Sequence, residues 1–506
     1  MPVRAAPHAG PSRGMELAQE PPCKPGTRMR CRTGATRDPI AVNAAPILAP
    51  AAMPASGLTT ELASYAASIR LAEVPEAVRY QAKLSILDTI GCIVAGVRVD
   101  DWKPLMEAES AIGAPPQATV IGSGRKLGID SAARVNAYMG DVFELNDLIV
   151  GHASIGNLSA LLALGESLQC SGAALVEALI VGQEVTARVY NAYYPAAKPY
   201  TQVGMAAVGF PSSYGVAAAA GRLLGLSEAQ IGDAMGIAGT LAGWCPAEVV
   251  FGEGGTIKPM LYGACPASAG LTGARYAQAG MKGPRQLLEG PRGYFVTAAN
   301  AMFPEVARDR SHWWGASPRR KLHACCGYIH CAVDLIAALR HEGVDLEAAK
   351  EIEVRIIGYA VPAVSKTAPP RNRNEALFNL QCCAALAALG EDVMLPEFAT
   401  GCVERAARPE VEEMRRKIRV VADPQIRHYY QGVVAVHDAA GREIVRREGR
   451  GPKGSPKSPM SDADVVDKFR RLVCHRMPAA AIDDYVARVG RLDGMDEWGW
   501  LVGSFG

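Results

Sequence analysis

The chain has 506 residues, of which 49% are hydrophobic and 6% aromatic, and its formal net charge is +2 at pH 7. This length is enough for about three domains, and the composition predicts a large core built from aliphatic side chains. The nearly balanced charge argues against a nucleic-acid-binding protein, whose affinity depends on many basic groups. Every apolar run is too short to span a membrane, so we expect no membrane association.

The number and spacing of the cysteines indicate the redox state of the compartment and whether a metal site is expected. There are 13 of them, without the paired spacing of a zinc site. Cys325–Cys326 and Cys382–Cys383 are adjacent pairs, but the odd total and the scattered placement predict free thiols in a reducing compartment. We therefore expect a cytoplasmic protein without a metal centre.

Residues 1–55 form a separate segment. They are rich in proline, glycine and arginine and show no hydrophobic periodicity. Such a composition predicts disorder. The excess of arginine over acidic residues suggests a targeting peptide, and translation that starts near Met53 is the competing explanation. We assign this extension no function.

The segment from residue 56 to 283 has the pattern of helices. Apolar residues recur at helical spacing, for example in residues 78–90 and 172–194. Ser227 and Gln230 have the spacing of a capping box, which predicts a further helix start. Runs of β-branched residues are absent, so this segment is predicted to be all-α.

After residue 284 the pattern changes to a mixture of strands and helices. Alternating apolar residues predict strands at residues 351–358, 417–422, 431–437 and 442–447. The turn residues between the last two predict a hairpin. Helices are expected after Cys326 and over residues 375–389. Ser461 and Asp464 then have the spacing that caps a return to helix.

Together these patterns predict a mainly α fold with two domains. The larger is an all-α helical domain made of residues 56–283 and 460–506. The smaller is an α+β lid domain made of residues 284–459. The lid is predicted to be an insertion, because we expect the terminal helices to pack back on the first domain.

A short polar loop between two apolar runs holds the first candidate site. It contains Glu144, Asn146, Asp147 and His152. Buried polar groups without partners are costly, and histidine transfers protons near neutral pH. A catalytic role competes with a simpler one, in which Asp147 and Asn146 cap the ends of helices.

The second candidate is Lys258, which follows a glycine-rich loop at residues 252–255 and precedes Pro259. Backbone N–H groups at a helix start, together with an ammonium group, would form a pocket for a carboxylate. The spacing does not match a Walker A phosphate loop. The alternative is a flexible turn beside a surface lysine.

Two further sets of residues are candidates for catalysis or for substrate binding. Cys326 and His330 lie near one face of a predicted helix start, where His330 would lower the pKa of a catalytic cysteine. The alternative is a structural thiol beside a core histidine. Arg371 and Arg373 have the chemistry of a bidentate carboxylate clamp, although a solvated pair is the simpler interpretation.

Several motifs in the same order resemble the 2-methylcitrate dehydratase family, also called MmgE/PrpD, which includes cis-aconitate decarboxylases and iminodisuccinate epimerases. The resemblance covers about residues 62–490. It rests on LDTIGCIVAG (residues 87–96), GHASIGNLSALLALGE (151–166), GGTIKPMLYGACPASAG (254–270) and LHACCGYIHCAVD (322–334).

The resemblance implies a homodimer of subunits that act on small di- or tricarboxylates without metal or organic cofactor, in a cleft between helical domain and lid. It implies that His152 is an acid/base residue and that Glu144 or Asp147 orients it or binds substrate. It implies that Lys258 holds a substrate carboxylate. It also implies that the turn of Cys326, Tyr328 and His330 faces the substrate.

The chain departs from the family pattern where two histidines are usual, within residues 203–214 and near Leu261 and Tyr262. We therefore predict a cofactor-independent lyase or an isomerase that removes a proton next to a carboxylate. The two missing histidines favour a racemase, an epimerase or an enzyme with an unusual substrate. The alternative is a catalytically silent paralogue that binds a metabolite or partner.

Overall fold

The computed structural model describes residues 57–205, 208–252, 257–393 and 399–506, without the side chains of Tyr200, Thr201 and Glu248. The predicted disorder of residues 1–55 lies outside this range. So do residues 253–256, which form most of the glycine-rich loop before Lys258.

Long helices dominate the chain up to residue 278, as the hydrophobic periodicity predicts. They are α1 (Leu58–Ser68), α2 (Glu76–Gly96), α3 (Lys103–Ala111), α4 (Ile129–Asp141), α5 (Ile155–Leu168), α6 (Gly172–Asn191), α7 (Gly209–Leu223), α8 (Glu228–Leu241) and α9 (Cys265–Gln278). The predicted capping box is confirmed, because Ser227 and Gln230 exchange both of its hydrogen bonds at the start of α8.

The all-α prediction for residues 56–283 is wrong at one place. Strands β1 (Ala118–Val120) and β2 (Arg125–Leu127) form an antiparallel hairpin between α3 and α4. Gly122 and Gly124 allow its turn, with φ angles of 75° and 67° that only glycine adopts easily. Strands of three residues are too short to produce a visible alternation in the sequence.

A four-stranded sheet forms after residue 350, and the strand predictions are confirmed. Its strands are β3 (Glu351–Ile356), β4 (Ile418–Ala422), β5 (Gly432–His437) and β6 (Glu443–Gly449), in the order β4-β3-β5-β6. Strands β3 and β4 are parallel, whereas β5 pairs antiparallel with both β3 and β6. The predicted hairpin is therefore β5–β6.

Helices α10 (His330–His341), α11 (Leu380–Ala388) and α12 (Pro409–Lys417) accompany the sheet. The helix predicted over residues 375–389 is instead two helices, because the chain breaks at Phe378 and Asn379. The Asn379 side chain accepts a hydrogen bond from the Cys382 N–H and caps α11.

Shorter helical turns connect these elements. The α-helical turns are Tyr200–Val203, Ala247–Phe251, Ile257–Pro259, Tyr294–Ala298, Pro304–Arg308, Val361–Val364, Arg373–Leu377, Cys402–Ala406 and Trp500–Gly503. The 3₁₀ turns are Leu71–Glu73, Tyr194–Ala196, Trp314–Ala316, Gly358–Ala360 and Leu492–Gly494. Met260–Ala264 is a π-helical turn.

The last two long helices, α13 (Asp462–Val473) and α14 (Ala479–Gly490), return to the amino-terminal half. The predicted capping pair, Ser461 and Asp464, is confirmed at the start of α13. Helix α13 packs on α2, and a buried ion pair joins the two helices, with Lys468 Nζ 2.6 Å from Asp88 Oδ1. The division into a helical domain and a lid stays a prediction.

The core is built mainly from aliphatic side chains, as the composition predicts. Helices α2 and α4 approach closely where a Cβ on Gly96 would collide with the backbone of Met139. The cysteines of the described residues are free thiols, in agreement with the prediction. Over the same residues, no helix combines the length and the apolar character needed to cross a membrane.

We predict that Lys468→Met lowers the free energy of unfolding by about 3–5 kcal/mol, because it leaves the carboxylate of Asp88 buried without its partner. Urea denaturation measures this loss. The matched control is Lys453→Met, which removes a half-exposed ion pair with Asp464 and costs less than about 1 kcal/mol. Equal losses in the two variants would contradict the prediction.

Candidate active site

A cavity with about 460 Å³ of empty space lies where the loop after α4 meets the segment before α10. We call it the polar cavity, because its wall includes Glu144, His152, Arg319, Lys321 and Cys326. The remaining wall is largely aromatic and apolar. It consists of Leu148, Val150, Gly151, Tyr190, Tyr194, Val208, Phe251, Tyr262, Gly327, Tyr328, Phe378 and Tyr429.

The loop between α4 and α5 is held in an unusual backbone conformation. Glu144 has a φ of 53° and Val150 a φ of 66°, both in the left-handed region that β-branched residues avoid most strongly. Leu148 and Arg319 exchange two backbone hydrogen bonds of 2.7 Å. This short pairing brings the loop against the segment that carries Arg319 and Lys321.

Buried charges of opposite sign meet beneath the cavity. Glu144 forms ion pairs with Lys258 and with Lys321, the latter 2.7 Å from Lys321 Nζ to Glu144 Oε1. Lys258 Nζ is also 2.6 Å from Asp141 Oδ1. All four side chains are buried. Each charge therefore depends on its partners, because an unpaired charge inside a protein is strongly destabilising.

Burial also changes how these groups titrate. It lowers the pKa of Lys258 and the pKa of Lys321 to about 8, although Asp141 opposes the shift in both. Burial raises the pKa of Asp141, and the adjacent Lys258 opposes that shift. The two lysines therefore change charge close to neutral pH, in contrast to exposed lysines.

His152 lies in the wall of the cavity beside these charges. Its Nδ1 is 3.9 Å from Asp141 Oδ1 and has no hydrogen-bond partner among the described residues. The Ser212 hydroxyl donates to the His152 carbonyl at 2.8 Å and fixes the backbone. Burial, and then the charges of Lys321 and Arg319, hold the pKa of His152 well below its usual value. The imidazole is therefore neutral at neutral pH.

Lys258 does not occupy the open anion pocket that the sequence predicts. It is 1% exposed, is paired with the protein's own carboxylates and is not part of the cavity wall. It lies in the turn Ile257–Pro259, which continues into the π-helical turn Met260–Ala264. This π turn carries Tyr262, whose ring centre is 5.0 Å from that of His152.

Asp147 also lies outside the cavity wall, although the resemblance implies a role beside His152 or the substrate. Its Oδ2 accepts a hydrogen bond from the Ser85 hydroxyl. Burial, and then the charge of Asp88, raise the pKa of Asp147 to about 6. The carboxylate nearest to His152 is Asp141 instead, which also accepts a 2.7 Å hydrogen bond from Asn146.

The predicted cysteine–histidine pair does not form. Cys326 and Tyr328 line the cavity, but His330 is outside its wall, and its Nε2 is 3.1 Å from the Cys325 carbonyl oxygen. Burial raises the pKa of Cys326 to about 11, opposite to the predicted lowering. The thiol is therefore protonated at neutral pH, which does not suit a nucleophile.

Arg371 and Arg373 lie away from the cavity, so they do not form the predicted carboxylate clamp there. Arg371 is exposed and pairs with Glu375, with Nη2 2.6 Å from Oε1. Arg373 pairs with Asp101 and donates to the Ala399 carbonyl at 3.0 Å. The Arg371–Glu375 pair is local, whereas the Arg373–Asp101 pair joins segments 272 positions apart.

Arg319 is a cavity residue that sequence reasoning missed. It is 1% exposed and donates to the Gly327 carbonyl at 3.1 Å. Its guanidinium lies over the rings of Tyr429 and Tyr430, 5.2 and 4.7 Å from their centres. Its Nε and Nη1 atoms have no hydrogen-bond partner in the described part of the chain.

Asp141 and Lys321 were missed as well. Asp141 is the last residue of α4, just before the polar loop, and Lys321 directly precedes the motif of residues 322–334. The run Arg319-Arg320-Lys321 next to this motif was the available signal, because it concentrates positive charge there.

Two family profiles match most of the chain. The MmgE/PrpD N-terminal domain matches residues 60–305, and the MmgE/PrpD C-terminal domain matches residues 323–489. The cis-aconitate decarboxylase of Aspergillus terreus is 28% identical over 474 residues, which cover 86% of this chain and 94% of that protein.

Two further relatives are also named after cis-aconitate decarboxylase. The cis-aconitate decarboxylase-like protein oryM of Aspergillus oryzae is 29% identical over 306 residues, which cover 57% of this chain and 62% of that protein. The cis-aconitate decarboxylase of Mus musculus is 23% identical over 464 residues, or 87% and 91% of the two chains. With both domain profiles matched in order, the chain belongs to the MmgE/PrpD family.

Proposed function

We propose that this protein is a lyase that acts on a small di- or tricarboxylate by moving a proton at a carbon next to a carboxylate. The observation that carries the proposal is the convergence of three buried side chains, those of His152, Lys321 and Arg319, on the polar cavity. Relatives named cis-aconitate decarboxylase support the same reaction class. Epimerisation remains a second candidate, because it begins with the same proton abstraction.

The charges around the cavity support an anionic substrate. Lys258, Lys321 and Arg319 contribute three cations, whereas Asp141 and Glu144 contribute two carboxylates. One positive charge is therefore in excess among these buried side chains. Arg319 Nε and Nη1 have no hydrogen-bond partner among the residues that the structure describes, so the guanidinium has N–H groups left to donate to a substrate carboxylate.

Lys321 would hold the second carboxylate and stabilise the charge that develops on it. Removing a proton beside a carboxylate, or losing carbon dioxide, leaves an electron pair that spreads onto the neighbouring carboxylate oxygens. A buried ammonium stabilises this charge more strongly than water does. Its ion pair with Glu144 fixes the ammonium group before the substrate arrives.

His152 is the group that we propose to transfer the proton. It is neutral in the empty site, so it can accept a proton from carbon. A bound carboxylate would neutralise Lys321 and Arg319, whose charges help to hold its pKa down, and would therefore raise that pKa. The resulting imidazolium then donates its proton to the leaving group or back to carbon.

We predict that His152→Gln lowers kcat by at least about 100-fold, because it removes the acid/base group. Proton NMR in deuterated water, with cis-aconitate and citrate as test compounds, measures loss of substrate signals and growth of alkene signals. The matched control is His341→Gln, an exposed histidine at the end of α10, which keeps normal turnover.

The same experiment tests the silent-paralogue alternative. If the wild-type protein binds these acids but transforms none of them, the catalytic proposal fails and a binding function takes its place. Full activity in His152→Gln would instead show that another group transfers the proton.

We predict that Arg319→Met raises KM by about 10- to 100-fold, since charge-assisted hydrogen bonds are worth roughly 1.5–3 kcal/mol. The matched control is Arg371→Met, which removes an exposed arginine that is not part of the cavity wall and leaves KM unchanged. Steady-state kinetics measure both, with thermal unfolding as the check on folding. If Arg371→Met raised KM more than Arg319→Met, the carboxylate clamp would be at Arg371 and Arg373, as the sequence predicts.

We predict that kcat/KM falls about tenfold per pH unit above pH 8. Burial lowers the pKa of Lys321 to about 8, so the ammonium group that attracts the substrate is present below this pH and is lost above it. Initial rates between pH 6.5 and 9.5 measure the profile, with circular dichroism to show that the fold persists. A constant kcat/KM up to pH 9.5 would contradict a charged role for Lys321.

A further inference from the structure

A second cavity adjoins the polar cavity and has a different chemical character. The two share Tyr190, Tyr194 and Val208 as common wall residues. We call the second one the tyrosine cavity. It contains about 920 Å³ of empty space, compared with about 460 Å³ in the polar cavity. The two cavities are therefore neighbours, separated by these shared side chains.

The wall of the tyrosine cavity is mainly apolar. It includes Tyr190 and Tyr194, which pack against each other with ring centres 4.4 Å apart. Ile357, Tyr359 and Ile426 also line the cavity. These side chains offer an apolar substituent a surface on which to displace water.

The cations of this wall are not arranged to hold a second anion. The Nζ of Lys198 already donates to the carbonyls of Val296 and Thr297, at 2.7 and 3.1 Å. Arg427 is exposed to solvent at the edge. A carboxylate placed among the tyrosine rings would lose its water without gaining a buried cation, which is unfavourable.

We propose that the substrate carries an apolar chain longer than a methyl group, which occupies the tyrosine cavity while its carboxylates bind Arg319 and Lys321. This inference rests on the proposed function, because it takes the polar cavity as the carboxylate site. The substrate class is then an alkyl-substituted di- or tricarboxylate. Because Tyr190, Tyr194 and Val208 line both cavities, the alkyl chain of a bound acid would pass these side chains to reach the tyrosine cavity.

Isothermal titration of the full chain with unreactive succinates tests this proposal independently of turnover. The probes are succinate, butylsuccinate and hexylsuccinate. Each methylene that enters an apolar cavity improves affinity by about fourfold, so hexylsuccinate binds far more tightly than succinate. Ile357→Trp fills the tyrosine cavity and removes the gain from the chain. Ile357→Ala removes side-chain atoms instead of adding them, so it disturbs folding less, and it reduces the affinity gained from the alkyl chain.

The matched control is Ile444→Trp, an exposed isoleucine on β6, which keeps the full gain. Succinate binding without any gain from the alkyl chain would overturn the inference and leave the proposed function intact. A gain that persists fully in Ile357→Trp would also overturn it, because the chain would then bind elsewhere. Failure of all three acids to bind would instead overturn the carboxylate site itself.

Discussion

The buried placement of Glu144 between two lysines is the constraint on which the polar cavity depends. Lys321 lies 177 positions further along the chain, so this ion pair fixes the loop after α4 against a distant segment. Lys258 connects the same carboxylate to Asp141 and to the π-helical turn. Because none of these charges is stable alone in the interior, the groups must be assembled together. His152 lies beside that assembly, and the charge of Lys321 adds to the effect of burial in keeping the pKa of its imidazole low.

The two cavities are suited to different parts of a ligand, one to charged groups and the other to apolar groups. The polar cavity combines fixed cations with an aromatic wall, so electrostatic interactions there act in a medium less polar than water. The tyrosine cavity offers ring faces and aliphatic side chains, whose attraction for a ligand is not directional. Tyr190 and Tyr194 belong to both walls and lie where the two environments meet. Orientation of a ligand would therefore come from Arg319 and Lys321, and discrimination by size from the tyrosine side.

Local patterns in the sequence predicted the local parts of the fold. The strands and both capping boxes depend on residues within a few positions of one another, and they were found. The helix break at Asn379 and the short hairpin were missed, since each depends on a side-chain cap or a turn that periodicity does not reveal. The site residues were harder to predict, because burial determines which polar side chains line the cavity, and local sequence patterns do not reveal burial. His152 and Glu144 were identified, whereas Arg371 was preferred to Arg319 although only the latter is buried at the cavity.

Lys468 has a second hydrogen bond, 2.8 Å long, to the carbonyl of Leu145 in the loop that carries Glu144. The two residues are 323 positions apart. On a ribosome that adds about 5–20 residues per second, the loop waits roughly 15–65 s before Lys468 is made. During that time the backbone of the nascent loop lacks this hydrogen bond. Synthesis of α13 is therefore a late step in assembling the cavity, and a chain cut short before α13 would contain every residue of the cavity wall without this contact to the loop.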